Sequence, residues 1–128
     1  MNDRFRYRVW EKTQNKWLHF DFSTYPTYQD RICQALTDGE TFYQCTGLKD
    51  KNGKLIYEGD IVKTIYNRPD GVIINRICVI EYNRSAFWIN YGIAASYLYN
   101  DDCIYEVIGN RYENKDLLNE VLTYTKQN

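Results

Sequence analysis

One histidine, His19, is all that this chain of 128 residues contains. A lone imidazole with no second His and no neighbouring Cys seldom builds a metal centre, and a Cys–His nucleophile pair would need a fold that brings distant residues together. The four Cys, at 33, 45, 78 and 103, form no CxxC pair. The short spacing that zinc ribbons and redox motifs require is therefore missing. No GxGxxG and no P-loop occurs, which removes the glycine-rich phosphate cradles. No apolar run approaches the roughly 18 residues of a membrane span. The start, Met1-Asn2-Asp3-Arg4-Phe5-Arg6, lacks the apolar centre of a secretory leader. Neither sign of charge is in excess: 16 Lys+Arg stand against 17 Asp+Glu, a net charge of −1. Nucleic-acid-binding modules usually carry a basic surplus that displaces counterions from phosphate. Repeats, low-complexity tracts and linkers are absent. The expectation is a cytoplasmic protein with reduced, largely buried thiols, no metal and no cofactor.

What is present is aromatic and β-branched. Thirteen Tyr contribute to an aromatic content of 16%, within 44% hydrophobic residues overall. That is enough to form a core, and the length fits one domain spanning 1–128. Tyr favours strands, where its ring can be half-buried and its hydroxyl stays wet, and Tyr-rich surfaces also make good partner interfaces.

Along the chain, Phe5 to Trp10 alternates, with Phe5, Tyr7 and Val9 on one face and Arg4, Arg6 and Arg8 on the other. Trp17 to Phe22 alternates again, and the two runs predict an N-terminal hairpin. Ser23-Thr24-Tyr25-Pro26 breaks the strand. Thr27 is placed to cap a short helix carrying Tyr28, Ile32, Ala35 and Leu36 and closed by Asp38-Gly39. A strand over Thr41–Thr46 leads into the densest turn chemistry of the chain, Gln44 to Val62. There Asn52-Gly53 suits a two-residue hairpin turn with φ > 0 at both positions. Strands are expected over Ile61–Tyr66, Val72–Tyr82, Ala86–Tyr91 and Cys103–Ile108. The second of these is long and apolar on both faces, so it is expected to be bent or shared between two sheets. Ile93–Tyr99 reads equally as helix or strand. Asn114 looks like an N-cap, followed by the stripe Leu117, Leu118, Val121 and Leu122. That helix either covers an open end of the sheet or serves as an arm for a homo-oligomer.

Catalytic sets are not apparent. Glu58 and Asp60 flank Gly59 near a bend, where Asp60 is better placed to hold backbone N–H groups than to pair with Glu58 in acid–base work. Arg4, Arg6 and Arg8 interleaved with aromatic residues make one constellation that leans toward nucleic acid, as a basic strand tracking phosphate while rings stack on bases. The same pattern also fits a charged edge strand that resists aggregation.

Three blocks resemble the YopX family of small proteins encoded by phages and prophages. They are Phe5-Arg6-Tyr7-Arg8-Val9-Trp10, then Thr46 to Lys54 running into Ile56-Tyr57-Glu58-Gly59-Asp60-Ile61-Val62, and Tyr105 to Asn110 followed by Tyr112-Glu113-Asn114 and Leu117-Leu118. Residues 23 to 41 and 83 to 102 match weakly. The resemblance implies a mainly β (β+α) fold, and Glu58 to Val62 is also similar to the opening of SH3-like small barrels. The expected architecture is a small SH3-like barrel or twisted antiparallel sheets, with an N-terminal hairpin, one short internal helix and a C-terminal helix. The resemblance brings no enzymatic activity and no catalytic residues, but implies action inside a bacterial host. The function expected is binding of a host or phage protein, for instance to inhibit host defence or a host enzyme. Tyr91, Tyr97, Tyr99 and Trp88, in the weakly matching region, are the expected contact residues. The alternative is a nucleic-acid-binding small barrel using Arg4, Arg6 and Arg8.

Overall fold

The structure, a computed structural model, describes residues 3–83, 86–90, 95–98 and 103–127, with side chains omitted at 95–97 and 122–127. Among the described residues the fold is mainly β. It has two antiparallel sheets, one of them curled into a half-barrel, and two helices. The chain packs as two compact units, Met1–Leu48 and Lys49–Asn128.

The first unit is built on the hairpin of β1 (Tyr7–Glu11) and β2 (Lys16–Phe20), with β3 (Tyr43–Lys49) beside β1. Phe5 does not extend β1. Asp3–Phe5 forms a single 3-10 turn, closed by the Arg6 N–H donating to Asp3 O at 3.1 Å. From Tyr7 onward the alternation holds. Val9 pairs with Leu18 on one face and Trp10 with Trp17 on the other. The first face is covered by α1 (Tyr25–Thr37), whose Ile32 and Ala35 join Val9, Leu18 and Phe20 in a buried cluster. The helix is capped at Thr24 and so starts three residues earlier than Thr27 would place it. Pro26 sits in its first turn, where the missing N–H would have had no helical partner in any case. It ends in a Schellman arrangement: the Glu40 N–H donates to Ala35 O (3.0 Å) and the Gly39 N–H to Leu36 O (3.1 Å), with Gly39 at φ +93°. Leu36 lies outside the buried stripe and is exposed.

In the second unit β4 (Leu55–Tyr57) precedes a five-stranded sheet of β5 (Asp60–Asn67), β6 (Ile73–Asn83), β7 (Ala86–Asn90), β8 (Ala95–Tyr97) and β9 (Cys103–Asn110), in the order β8-β7-β6-β5-β9. β6 is not shared between two sheets: both of its partners lie in this one sheet, and its length follows from pairing with them in turn. Ile73 to Val79 pairs with β5, and Val79 to Asn83 pairs with β7. Within the ambiguous run Ala95–Tyr97 is a strand, while Ile93, Ala94 and Tyr99 lie outside the described residues. Ile108 is an extra residue on β9: the register passes from Gly109 opposite Ile61 to Val107 opposite Val62, a bulge. Asn114 precedes α2 (Lys115–Gln127), and its carbonyl accepts the first helical N–H, from Leu118 at 3.1 Å. Its side chain turns back to accept the Asn110 N–H at 3.1 Å, passing so close to Gly109 that a Cβ there would lie 2.4 Å from Oδ1. The helix packs on β6 and β9 with Val121 buried and Leu117 and Leu118 half-buried.

The Asn52-Gly53 turn differs from the expected form. Gly53 has φ +81°, but Asn52 is not among the residues at positive φ. The Gly53 N–H donates to Asp50 O (3.0 Å) and the Asp50 N–H to Lys54 O (2.8 Å), giving a type I turn followed by one left-handed glycine. Asp50 selects this form. Its Oδ1 accepts the N–H of both Asn52 and Lys54 at 2.9 Å.

Candidate functional site

The feature of the first unit that a core does not account for is a groove walled by aromatic rings. Its floor follows from the β1–β2 register, which puts Tyr7 directly opposite Phe20. The two rings stack with centroids 5.9 Å apart. Beyond Phe20 the chain leaves the strand because Asp21 closes a local turn. Asp21 Oδ1 accepts the backbone N–H of Ser23 (2.9 Å) and Thr24 (3.0 Å) and the Ser23 hydroxyl (2.6 Å), while the Asp21 N–H donates to Thr24 Oγ1 (2.9 Å). This turn starts α1 and turns Phe22 outward, where it is 68% exposed. Phe22 meets Tyr7 edge to face at 6.3 Å and Phe5 at 6.4 Å. Tyr25, the first residue of α1, lies 6.1 Å from Phe20. Phe42, just before β3, crosses Phe20 at 5.3 Å and 70°.

Tyr7, Phe20, Asp21, Phe22, Tyr25 and Phe42 together line a cavity of about 420 Å³. Phe5 (45% exposed) and Phe42 (38%) extend the apolar surface beside it. The Asp21 carboxyl is the one charged group in this lining. The hydrogen bond from the Ser23 hydroxyl, then that from the Thr24 backbone, hold its pKa below the usual carboxylate value, so it is ionised at neutral pH. Large exposed apolar patches of this kind mark interaction sites.

The opposite end of the same hairpin carries a second, polar groove of about 400 Å³ lined by Glu11, Lys12, Gln14, Arg31 and Asp38 among others. Two of its cations are held by neighbours. Arg31 holds the Glu11 carboxylate in a fork, with Nε donating at 3.0 Å, and Lys12 Nζ donates to Asp38 O at 2.6 Å. The hydrogen bond to Glu11 raises the Arg31 pKa further, so the guanidinium keeps its charge.

The arginines of the first block do not form one row. The Arg6 guanidinium pairs with Asp3 at 3.2 Å. The Arg4 side chain lies along Gly47, where an added Cβ would fall 2.5 Å from Arg4 Cγ. Arg8 is only 5% exposed, its guanidinium 3.9 Å above the Trp17 ring, which in turn meets Trp10 and Tyr43 edge to face. The alternation that reads as a charged solvent face thus has, at Arg8, a cation stacked in an aromatic layer.

Of the contact residues expected in the second unit, Tyr91 and Tyr99 lie outside the described residues. Tyr97 is described only as backbone of β8, opposite Trp88. Trp88 is half-buried, with its indole N–H donating to Asn83 O at 2.8 Å. Asp60 holds the turn before β5, with Oδ2 accepting the Tyr57 N–H at 2.8 Å. His19 is exposed on β2. Cys45 and Cys78 are buried, and no two cysteines are bridged. Among the described residues no three His, Cys, Asp or Glu side chains converge as a metal site would require.

Sequence reading missed the groove residues Asp21, Phe22, Tyr25 and Phe42. The available signal was Asp21-Phe22-Ser23-Thr24 directly after a strand, a hydrogen-bonded turn that forces the residue after Asp out of the sheet. That three other segments would meet it is a property of the tertiary fold.

Comparison with known proteins gives a match to the family described as YopX protein over residues 6–119. Among solved structures the chain is similar to the crystal structure of protein EF1440 from Enterococcus faecalis, at 25% identity and a TM-score of 0.52, covering 88% of this chain and 96% of that one. It is also similar in fold to protein yopX from Bacillus subtilis, at 17% identity and a TM-score of 0.53, covering 90% and 96% of the two chains. No curated protein matches.

Proposed function

We propose that this chain, which belongs to the YopX protein family, acts by binding a protein partner rather than by catalysis, and that the aromatic groove of its first unit is the binding surface. The partner is a host or phage protein in the bacterial cytoplasm, and the consequence of binding is inhibition of that partner. The observation that carries this reading is the groove of Tyr7, Phe20, Phe22, Tyr25 and Phe42, with Phe22 and Phe42 exposed. Rings of this kind dominate interface energetics, because each offers a large rigid area at little entropic cost. Among the described residues no helix is long and apolar enough to cross a membrane.

The dispersal of Arg4, Arg6 and Arg8 into a Gly47 contact, an Asp3 ion pair and a Trp17 stack respectively weighs against a phosphate-tracking strand. The test is affinity capture from nuclease-treated host lysate at about 0.15 M salt, run in parallel with wild type and with a Phe22→Ala, Phe42→Ala double variant. A protein retained stoichiometrically by the wild type and lost with the variant supports the reading. Capture that is indifferent to both substitutions overturns it. So does steeply salt-dependent binding of purified DNA or RNA in a separate titration, with no protein retained from the lysate.

A further inference from the structure

The groove's chemistry narrows what can occupy it. Its walls are five aromatic rings, and its single charged lining group is the ionised Asp21 carboxylate. Ring faces carry partial negative charge, and the carboxylate adds a full one. Among the described residues none of the chain's own Lys or Arg lines the cavity, and the hydrogen bonds that the Asp21 carboxylate accepts come from neutral donors, the N–H groups and the hydroxyls of Ser23 and Thr24. An occupant that is purely apolar would cover this carboxylate without a counter-charge, which costs free energy. An anionic occupant would be repelled by rings and carboxylate alike. A long aliphatic stem ending in a cation satisfies both halves, the stem against ring edges and the charge toward ring faces and Asp21.

We infer that the groove is a cage for a cation and takes the side chain of a lysine or arginine presented by the partner polypeptide, an inference that rests on the groove being the binding surface. The ring arrangement suits this. Tyr7 and Phe20 stack as a floor, while Phe22 and Phe42 stand at 65° and 70° to them as walls. The cavity of about 420 Å³ has room for one such side chain together with its water.

The experiment titrates the full chain, followed by the NMR signals of its aromatic rings, with capped tripeptides that differ only in the central residue: lysine, arginine, norleucine or glutamate. The lysine and arginine peptides are expected to shift the ring signals of Tyr7, Phe22, Tyr25 and Phe42 and to saturate. The norleucine peptide has the same stem without the charge and is expected to bind about tenfold more weakly, with no binding of the glutamate peptide. Phe22→Ala is expected to weaken the lysine peptide by a similar factor without disturbing the fold, since Phe22 is largely exposed. Asp21→Asn should do the same, but it also touches the start of α1, so Phe22→Ala is the primary control. Norleucine binding as tightly as lysine overturns the cage while leaving a protein-binding groove in place. Glutamate binding as tightly as lysine, or no ring signal moved by any peptide at millimolar concentration, overturns it as well. Loss of the groove as a docking surface is read independently, from the capture experiment.

Discussion

The Asp50 carboxylate accepts the backbone N–H of Val107 at 2.9 Å, across 57 residues of sequence. One oxygen therefore ties the 50–54 turn to β9, while the other organises the turn itself through Asn52 and Lys54. The stretch that is richest in turn residues is held by a buried charge as well as by its own glycines. Asp50 is 8% exposed, and Lys51 beside it forms an ion pair with Glu106 on the same strand, β9.

Replacing Asp50 by Ala leaves three backbone N–H groups without their acceptor, a loss of about 2–4 kcal/mol in unfolding free energy. Burial alone would raise the Asp50 pKa, but the hydrogen bonds from Val107, Lys54 and Asn52 outweigh it, and the net direction is below the ordinary 3.8. A depressed folded-state pKa means that the stabilisation is complete above about pH 3.8 and is lost as the pH falls through the folded value below it. Urea denaturation of wild type and Asp50→Asn across this acid range should converge as the pH drops. A constant difference between them would contradict the assignment.

At the turn, Gly53→Val forces a β-branched residue to φ +81° and should cost about 1–2 kcal/mol, although a Cβ there meets nothing within 4 Å. Asn52→Ala should be nearly neutral, because Asn52 has an ordinary negative φ. The pair of results distinguishes this turn from a two-residue type I′ turn, in which Asn52→Ala would also be costly. Denaturation midpoints of both variants decide it.

Much of the scaffold was legible in the residues. Alternation around Val9 and Leu18 marked the hairpin, the stripe Leu117, Leu118 and Val121 marked α2, and the apolar run 72–82 marked a long strand, although it lies in one sheet and is not shared between two. The misreadings share a cause, which is that local pattern does not reveal what covers a face. Arg8 obeys the alternation yet is buried, because Trp17 and Tyr43 close over its side of the sheet. Pro26 looked like a break and is instead the first turn of α1, since Asp21 and Thr24 had already satisfied the preceding backbone. The groove was least legible of all. Tyr7, the Phe20–Phe22 segment and Phe42 come from three separate stretches, and only the pairing of β1 with β2 and β3 gathers them.

The cysteines should differ sharply in reactivity. Cys33 is exposed, whereas burial pushes the Cys78 thiol up to about 11. At about pH 8 roughly one part in a thousand of Cys78 is thiolate, and its intrinsic rate should rise about tenfold per pH unit toward pH 11. Modification of the folded protein, mapped by peptide mass, should label Cys33 first and Cys45 and Cys78 last. Labelling of Cys78 as fast as Cys33 would show that the second unit opens readily around β6.

Phe20 and Phe22 lie two residues apart beside the same cavity, yet they should behave oppositely. Phe20 is 7% exposed and belongs to the cluster with Val9, Leu18, Ile32 and Ala35, so its ring is floor and core at once. Truncation to Ala removes packing from both sides and should cost about 3–5 kcal/mol. Phe22, at 68% exposed, meets the rings of Phe5 and Tyr7 at centroid distances beyond 6 Å, and Phe22→Ala should change stability by no more than about 0.5 kcal/mol. A side chain this large, held in water by the Asp21 turn at no gain to folding, is the residue whose loss should register in binding alone. Urea denaturation of the two single variants measures the split. A cost above about 2 kcal/mol for Phe22→Ala would make it a core residue and remove the rim of the groove, and a cost below about 1 kcal/mol for Phe20→Ala would remove its floor.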